Sequence, residues 1–342
     1  MRRDAFGVPH IEAGSQDEAW FGMGFACAQD RIWQMDTDRR KGLGRFAEVA
    51  GPGALSADIL ARRLRLVDAA KRDLDILGGP ARAMLEAYAA GVNAFLESGA
   101  PLAPEYGLTG TRPEAWQPWH SLVVFVIRHV LMGVWQLKVC QGILLSRVGE
   151  ETFRSLDVRP PVDSLATVPP GRRIRQAYER AGAEIAEVAP LLGFLAETEA
   201  GSNAWVVHGS RTTTGRPVLC NDSHRRLDVP NVYWQAQLTC PAFTVAGAAF
   251  PGIPGFPHFG HNGSVAWAIT HTHADTQDLY VEQFDRDDPT RYRTPEGFVP
   301  ADRRQEWIEV RGGDPVVIDT WATRHGPVVH GDPRTGLALA LR

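Results

Sequence analysis

The sequence predicts an α+β fold, with a helical first half and a strand-rich second half. Apolar residues recur at steps of three and four through Ala19–Met35, Ile59–Ile76 and Met84–Phe95, which is the period of an amphipathic helix. Beyond Gly201 the apolar period changes to two, and turn residues separate short apolar runs, as expected for strands. Helices that come first and strands that come second are typical of the α+β class.

The most apolar part of the chain lies at the end of its first helical stretch. A connector rich in Pro and Trp at 101–119 leads into the apolar segment Leu122–Trp135. This segment is shorter than a bilayer span and contains Arg128 and His129, so we predict a buried helix and no membrane contact. A shorter helix is predicted near Val139–Arg147.

Composition changes between the two halves. Paired prolines are followed by an arginine cluster at Arg172–Arg175 and by an acidic, alanine-rich stretch. Such composition is typical of an exposed linker or of a spacer that is removed on maturation, and a surface helix between two elements would look similar. We therefore divide the chain into a helical region (1–160), a linker or spacer (161–201) and a strand-rich region (202–342).

The strand-rich region contains a succession of short apolar runs. Predicted strands lie at Ala204–Val207, Pro217–Leu219, Val232–Leu238, Phe243–Ala248 and Ser264–Thr270. The run Gly336–Arg342 is also typical of a strand, but no cap, breaker or charged tail follows it. We therefore expect this chain to be the incomplete, N-terminal portion of a longer protein.

Composition also excludes other classes of protein. The formal net charge is −4, and no run rich in Lys and Arg is interleaved with aromatic residues, so nucleic acid is not expected as a partner. The four cysteines form no short paired spacing of the kind that binds metals. With 44% hydrophobic and 22% charged residues, the chain is in the range of folded globular proteins.

The junction between the linker and the first strand carries a candidate nucleophile. The small residue Gly201 directly precedes Ser202. If the Ser202 hydroxyl attacked the Gly201 carbonyl, an N-to-O acyl shift and hydrolysis would leave Ser202 with a free α-amino group, so that nucleophile and base would belong to one residue. An α-amino group has a pKa of about 7.7–8 and is partly unprotonated at neutral pH. Taken alone, Gly-Ser-Asn before a strand more often marks a turn serine.

Several longer motifs resemble those of one known family. In chain order they are RDAFGVPHI (Arg3–Ile11), GFACAQDRIWQMD (Gly24–Asp36), RRKGLGRFAEVAG (Arg39–Gly51), GSNAWVV, TGRPVLCNDSH and FPGIPGFPHFGHNGSVAWAITHTHADTQDLYVEQF. In this order and spacing they resemble the penicillin acylase family of N-terminal nucleophile hydrolases along nearly the whole chain. The resemblance implies a four-layer αββα fold and a zymogen that cleaves itself into an α/β heterodimer.

The resemblance also implies roles for single residues. Ser202 matches the nucleophile, and Gly201 matches the residue from which it is cut. His224 matches a histidine that orients the serine hydroxyl and amine, although a histidine that closes a polar turn would look the same. His271 matches the residue whose backbone N–H forms half of the oxyanion hole. The second donor in this family is an asparagine further downstream than Arg342, so we expect this chain alone to be an incomplete catalyst.

Three residues match positions that line the acyl pocket in the family: Arg225, His258 and Phe259. Arg225 departs from the bulky apolar residue often found at its position. A desolvated guanidinium pairs well with a carboxylate, so one hypothesis is a pocket for a polar or anionic acyl group. The alternative is an arginine that is simply solvated.

The resemblance raises the question of a structural calcium ion, although the proposed chemistry requires no cofactor. Asp275, Gln277 through its carbonyl, and Asp278 match the calcium ligands of the family, and oxygen donors of this kind are those that Ca²⁺ prefers. Lys138, however, matches a position where the family often has a glutamate ligand. Its ammonium group would repel a cation, so we expect an ion pair between Lys138 and Asp275 or Asp278 instead.

Two other functions stay open from the residues alone. His271, His273 and Asp275 alternate along the chain, as the ligands of a metal-dependent hydrolase might. A non-processing homologue that acts as a binding module is the third hypothesis. The sequence also leaves open whether the substrate is a penicillin, a cephalosporin, an acyl-homoserine lactone or a peptide.

The start of the chain gives no evidence on location. The family implies a periplasmic or secreted protein, whereas Met1–Asp4 run directly into structured-looking sequence without an apolar signal region. A cytoplasmic location therefore stays open.

Overall fold

A computed structural model describes residues 1–131, 133, 135–156, 172–189, 201–225, 227–271 and 275–342. The α-helices are α1 (Gln16–Leu43), α2 (Ala47–Ala50), α3 (Leu55–Arg63), α4 (Leu66–Ile76), α5 (Gly79–Glu97), α6 (Pro104–Thr109), α7 (Pro118–Leu131), α8 (Trp135–Val148), α9 (Glu150–Leu156) and α10 (Arg172–Val188). The strands are β1 (Arg2–Arg3), β2 (Pro9–Glu12), β3 (Gly201–Val207), β4 (Val218–His224), β5 (Trp234–Cys240), β6 (Phe243–Ala249), β7 (Phe259–His261), β8 (Ala266–Trp267), β9 (Leu279–Gln283), β10 (Arg291–Thr294), β11 (Gly297–Pro300), β12 (Asp302–Ile308), β13 (Val316–Thr323), β14 (Gly326–Asp332) and β15 (Leu337–Leu341). The fold is α+β, as predicted.

The chain forms two compact units, and each takes segments from both sides of the predicted junction. Unit 1 consists of Met1–Gly42, Leu66–Arg128 and Glu197–Thr272. Unit 2 consists of Leu43–Arg65, His129–Ala196 and His273–Arg342.

Unit 1 is built on a six-stranded sheet in the order β1-β2-β5-β6-β7-β8, and β3 and β4 form a separate two-stranded ribbon. β2 runs parallel to β5, whereas the other neighbouring strands are antiparallel. Side chains of α1, α5 and the sheet share one core, in which Trp20, Met23, Val92, Trp234 and Val245 are buried.

Two glycines allow α1 and α5 to approach to backbone contact. A Cβ atom at Gly24 would lie 2.1 Å from Tyr88 O, and one at Gly91 would lie 2.0 Å from Phe21 O. No side chain fits at such distances, so both positions require glycine. The helix predicted at 19–35 is part of the longer helix α1. This helix is interrupted at Arg31, where the backbone (φ −140°, ψ 19°) is not helical.

Unit 2 contains a five-stranded sheet in the order β12-β13-β14-β15-β9 and the hairpin β10-β11. β15 is buried along its whole length and pairs with β14 on one side and with β9 on the other. The strand predicted at Gly336–Arg342 is therefore confirmed. Phe284, Tyr292 and Trp321 pack in one core with Ala338 of β15.

The single helix predicted over Ile59–Ile76 is wrong. α3 ends at Arg63 and α4 begins at Leu66, because Arg65 between them has a left-handed backbone with φ 53°. The Arg65 guanidinium binds the side chain and the backbone carbonyl of Asp302. A contact across 237 residues of sequence thus accompanies a break that the local apolar period does not show.

The strand predicted over Ser264–Thr270 is shorter than expected. Only Ala266 and Trp267 pair with β7. The Asn262 side chain accepts from the backbone N–H groups of Ser264 and Val265 and so forms a turn before the strand. Beyond Trp267 the chain leaves the ladder, which makes its backbone groups available to the ribbon.

Most of the apolar segment predicted as one buried helix lies in α7, and its last residue, Trp135, begins α8. By length and composition Pro118–Val148 could cross a membrane, a property shared by core helices of soluble proteins. In α7, Val123, Val124 and Ile127 are buried within unit 1. The guanidinium of Arg128 pairs with Asp38 and lies 4.4 Å from the centre of a phenylalanine ring.

Helix α10 occupies part of the segment that we interpreted as a linker or spacer. Its hydrophobic face is buried through Ala177, Tyr178, Ala181 and Val188. The Glu184 carboxylate on α10 binds Nδ1 of the buried His330 at 2.7 Å and the Arg63 guanidinium at 3.1 Å. Removal of this helix on maturation stays an untested prediction.

Candidate active site

The antiparallel ribbon of β3 and β4 positions the predicted nucleophile. Its register pairs Gly201 with His224, Ser202 with Ser223, Asn203 with Asp222 and Ala204 with Asn221. Successive side chains in a strand point to opposite faces. Ser202, Ser223 and Asn221 therefore share one face, which we call the serine face, and Gly201, Asn203, Asp222 and His224 share the other, the histidine face.

The structure brings the predicted nucleophile and the predicted oxyanion donor together. The His271 backbone N–H donates to Ser202 Oγ across 3.1 Å. His271 belongs to the segment that follows β8 and leaves the sheet ladder. Donors that act on an oxyanion lie about 2.7–3.1 Å from it. The N–H of His271 is therefore directed at the oxygen that would react.

His224 contacts the other end of the predicted scissile bond. Its Nε2 lies 3.0 Å from Asn203 Nδ2 and 3.0 Å from Asp222 Oδ2. Accepting from Asn203 and donating to Asp222 require opposite protonation states of Nε2, so one bond is made at a time. A Cβ atom on Gly201 would lie 2.9 Å from His224 Nδ1. In the intact chain the ring thus contacts Gly201 on the histidine face, whereas the Ser202 hydroxyl lies on the serine face.

A cavity of about 250 Å³ opens on the serine face, where Ser223, the cross-strand partner of Ser202, lines it. Its walls include Asn221, Ser223, Arg225, Tyr233 and Phe259. The hydroxyl groups of Tyr233 and Ser223 share a hydrogen bond of 3.1 Å, and the Tyr233 and Phe259 rings meet edge to face at 4.8 Å. Among its described lining residues, the cavity therefore combines an aromatic wall with the Arg225 guanidinium.

Of the three predicted acyl-pocket residues, the structure places two in this cavity. His258 is not among its described lining residues; its ring packs edge to face on Phe250 at 4.6 Å. Phe250 in turn stacks on Tyr233 at 5.0 Å. His258 therefore contacts the aromatic wall of the cavity through Phe250.

A larger cavity of about 420 Å³ lies in unit 2, and its described walls contain none of the predicted site residues. Arg303 and Arg334 line it, and both bind the Asp319 carboxylate. Both guanidinium groups are therefore already held by a carboxylate of the cavity wall.

The residues that match calcium ligands form an ion pair with lysine. Lys138 Nζ lies 2.8 Å from Asp275 Oδ1 and 3.0 Å from Asp278 Oδ1. Partial burial lowers the pKa of Lys138, but hydrogen bonds with the two carboxylates more than offset this, and the net shift is upward. The side chain of Gln277 binds Trp135 N and Val130 O. An ammonium group held between the carboxylates leaves no fit for Ca²⁺ at these residues.

The competing metal-hydrolase hypothesis rests on His271, His273 and Asp275. His273 lies outside the described residues. Within the part of the chain that the structure describes, no group of three or more His, Cys, Asp or Glu side chains could hold a metal ion.

Comparison with known proteins decides the family. A family model described as penicillin amidase matches residues 1–342, which is the whole chain. The chain belongs to the penicillin amidase family. The resemblance of the motifs is thereby confirmed, and the Gly201–Ser202 junction lies inside the matched region.

Individual proteins are also similar to this member of the penicillin amidase family. The chain is 44% identical to a penicillin acylase 2 proenzyme from a Pseudomonas species, over all of this chain and 45% of that protein. It is 33% identical to the acyl-homoserine lactone acylase QuiP of Pseudomonas aeruginosa, over 96% of this chain and 40% of that protein. A solved thermostable penicillin G acylase from Alcaligenes faecalis in tetragonal form is 29% identical, with a TM-score of 0.40 over 50% of this chain and 96% of that chain. The chain thus spans less than half the length of the two Pseudomonas relatives.

Sequence reasoning missed three polar residues of this penicillin amidase ribbon. Asn203 and Asp222 bind His224, and Asn221 binds two backbone carbonyls. In the motif CNDSH only His224 was predicted to have a role, and the alternative was a histidine that closes a polar turn. Alternation along a strand would have separated Asn221 and Ser223 from Asp222 and His224.

Proposed function

We propose that the protein is a self-processing amide hydrolase in which Ser202 becomes a new N-terminus and then acts as the nucleophile. The observation that carries the proposal is the 3.1 Å hydrogen bond from the His271 backbone N–H to Ser202 Oγ. Ser202 directly follows Gly201, the residue from which it would be cut. The names of the relatives, a penicillin acylase proenzyme and an acyl-homoserine lactone acylase, support an amide substrate and a precursor.

The first reaction cleaves the chain itself. Ser202 Oγ attacks the Gly201 carbonyl carbon, the peptide C–N bond breaks, and an ester between Gly201 and Oγ forms. The hydroxyl proton passes to the Ser202 nitrogen, which becomes an amine. Water then hydrolyses the ester, so that Gly201 leaves as a carboxylate and Ser202 keeps both a free hydroxyl and a free α-amino group.

The second reaction repeats this chemistry on a substrate. The Ser202 amine accepts the proton of its own hydroxyl as Oγ bonds to the amide carbon of the substrate, and the amine component leaves with that proton. The His271 N–H stabilises the oxyanion, together with the downstream asparagine that the resemblance assigns as second donor. Loss of one such donor typically costs about 3–4 kcal/mol of transition-state stabilisation. Water releases the acyl group from the ester.

The cavity on the serine face supports the proposal of a polar or anionic acyl group. Arg225 lies in its wall with Tyr233 and Phe259, so an acyl chain could pack on the rings while a terminal carboxylate pairs with the guanidinium. A matched pair of chromogenic amides tests this: glutaryl and pentanoyl 4-nitroanilide have equally long acyl chains, and only the first carries a carboxylate.

The finer architecture belongs to the same proposal. We expect the mature protein to be an α/β heterodimer cut from one precursor, with the sheets stacked in the four-layer αββα arrangement. A periplasmic or secreted location is proposed from the family, and cell fractionation would test it.

Mass spectrometry of the full-length gene product is the decisive experiment. A fragment that begins at Ser202 is expected from the wild type and not from Ser202→Ala. A wild-type protein that stays whole would support the binding-module alternative and refute the proposal.

The role of Arg225 is tested by a substitution. Arg225→Gln should lower kcat/KM for the glutaryl amide by about 10- to 100-fold, which is the contribution of a charged hydrogen bond. It should change kcat/KM for the pentanoyl amide by less than about twofold. Equal losses for both amides would refute the role of Arg225.

A further inference from the structure

Asn221 connects the two backbone segments that meet at the nucleophile. Its Nδ2 group donates to Asn203 O at 2.8 Å and to Ile269 O at 3.1 Å. Asn203 directly follows Ser202 in β3, and Ile269 lies two residues before His271. Both hydrogens of one carboxamide are thus used to fix the spacing between these segments.

The segment that carries the His271 N–H depends on contacts outside the sheet. β8 ends at Trp267, so Ile269 and His271 are not held by its ladder. Within the described residues, the Asn221 bond to Ile269 O and the His271 bond to Ser202 Oγ connect this segment to the ribbon. The second of these involves the atom that reacts.

This difference matters at the transition state. When Oγ bonds to an acyl carbon, the His271 N–H must donate to the new oxyanion and no longer to Oγ. The contact through the serine hydroxyl is therefore lost at the moment when the donor has to be in place. The Asn221 bonds involve only backbone carbonyls that take no part in the chemistry, so they persist throughout.

We infer that Asn221 is a positioning residue that holds the His271 N–H at the distance from Ser202 required of an oxyanion donor. The inference rests on the proposed function. A carboxamide suits this role because it offers two N–H donors to two carbonyl oxygens, whereas a carboxylate offers none and a serine hydroxyl offers one.

The expected effect follows from the geometry. A donor must lie within a few tenths of an ångström of its position to act on an oxyanion, and a misplacement of about 1 Å typically costs about 100-fold in rate. Without its link to the ribbon the segment at 269–271 should shift by a fraction of this distance. We therefore expect Asn221→Leu, which keeps the approximate size of the side chain and removes both donors, to lower kcat by about 10- to 100-fold.

The test uses the full-length protein, with self-cleavage and hydrolysis of pentanoyl 4-nitroanilide as readouts. The neutral amide is chosen because Asn221 also lines the cavity near Arg225. In Asn221→Leu, kcat should fall while KM changes less than about threefold, since the segment at 269–271 orients a donor that acts only in the transition state. Asn221→Asp, which keeps the shape and reverses the hydrogen bonding, is made in parallel in case the leucine variant does not fold, and the same fall in kcat is expected of it.

Asn93→Leu is the matched control. Asn93 also fastens backbone with both ends of its carboxamide, since it donates to Trp116 O at 2.9 Å and accepts from Trp116 N at 2.6 Å. Its loss should reduce stability but leave kcat per folded molecule unchanged. Equal losses of kcat in both variants would overturn the inference, because they would reflect general destabilisation.

The outcomes separate this inference from the function on which it rests. If the wild type cleaves itself, Ser202→Ala does not, and Asn221→Leu keeps kcat within about twofold, the positioning role is refuted and the function stands. If the wild type neither cleaves itself nor hydrolyses an amide, the function fails, and the inference fails with it.

Discussion

Replacing Gly201 by alanine should slow self-cleavage by about tenfold. The new Cβ atom would lie 2.9 Å from His224 Nδ1 and 3.6 Å from its Cε1, whereas ordinary contacts begin at 3.4 Å. The imidazole must therefore move by about half an ångström, or the scissile peptide must move away from it. Gly201 has no positive φ, so the added methyl group and not the backbone conformation is the perturbation.

The magnitude follows from this displacement. The ring is held through Nε2 by either Asn203 or Asp222, so part of the movement falls on the peptide bond that Ser202 attacks. Since a misplacement of about 1 Å costs about 100-fold, half of that distance costs about tenfold. The assay follows purified full-length precursor over time and measures the fragment that begins at Ser202 by mass spectrometry.

A control and a double-mutant cycle decide whether the contact with His224 is the cause. Gly107→Ala adds a methyl group where nothing lies within 4 Å, and it should not alter self-cleavage. In a His224→Ala background the clash is absent, so Gly201→Ala should cause little further slowing. If Gly201→Ala slows cleavage by the same factor with and without the imidazole, the reasoning is wrong.

The other predictions concern stability and maturation. Lys138→Met should lower the free energy of unfolding by about 0.5–1 kcal/mol, because both carboxylates of the ion pair are exposed. A chelator should leave the melting temperature of the wild type unchanged, and a melting temperature that depends on calcium would contradict the misfit of Ca²⁺. Burial raises the pKa of Asp58 from 3.8 to about 6, so its contribution to stability is full below pH 3.8 and is lost as the pH rises through 6. Denaturation of the wild type and Asp58→Asn from pH 4 to 7 should show their difference falling by up to about 3 kcal/mol, and a constant difference would exclude this. After self-cleavage the small subunit should end beyond Ala189, because loss of α10 would expose the surface on which its apolar face packs and would leave the buried His330 without Glu184. A small subunit whose intact mass lacks α10 would contradict this.

The sequence predicts the elements of this fold where local pattern decides them. The period of two located β5 and β6 to within two residues, because the alternation follows one buried face of a sheet. The break at Arg65 was not predictable in this way, since its left-handed backbone accompanies a contact with Asp302 on a distant strand. Likewise, Ser264–Thr270 alternates like a strand, but the turn formed by Asn262 shortens it.

In the candidate site, too, some residues were predictable from the sequence and others were not. Ser202 and the His271 N–H were paired through motif resemblance, and the structure brings them to 3.1 Å. Asn221 carries no such signal, because its partners are backbone carbonyls 18 and 48 residues away in sequence. Every residue has a backbone carbonyl, so the sequence does not show which of them Asn221 binds. The ion pair of Lys138 was predictable, since a charge that departs from the family pattern must find a partner close to the carboxylates it faces.

The two faces of the ribbon limit what His224 can do in the mature protein. Its imidazole contacts Gly201, whereas the Ser202 hydroxyl lies on the opposite face and is bound by the His271 N–H. Cleavage removes Gly201 and creates an α-amino group on the Ser202 nitrogen, which lies in the plane of the ribbon between the two faces. His224 is therefore better placed to bind the amine than the hydroxyl, so it should tune proton transfer and not the position of Oγ. An unaltered pH dependence of kcat/KM in mature His224→Gln would exclude this division of roles.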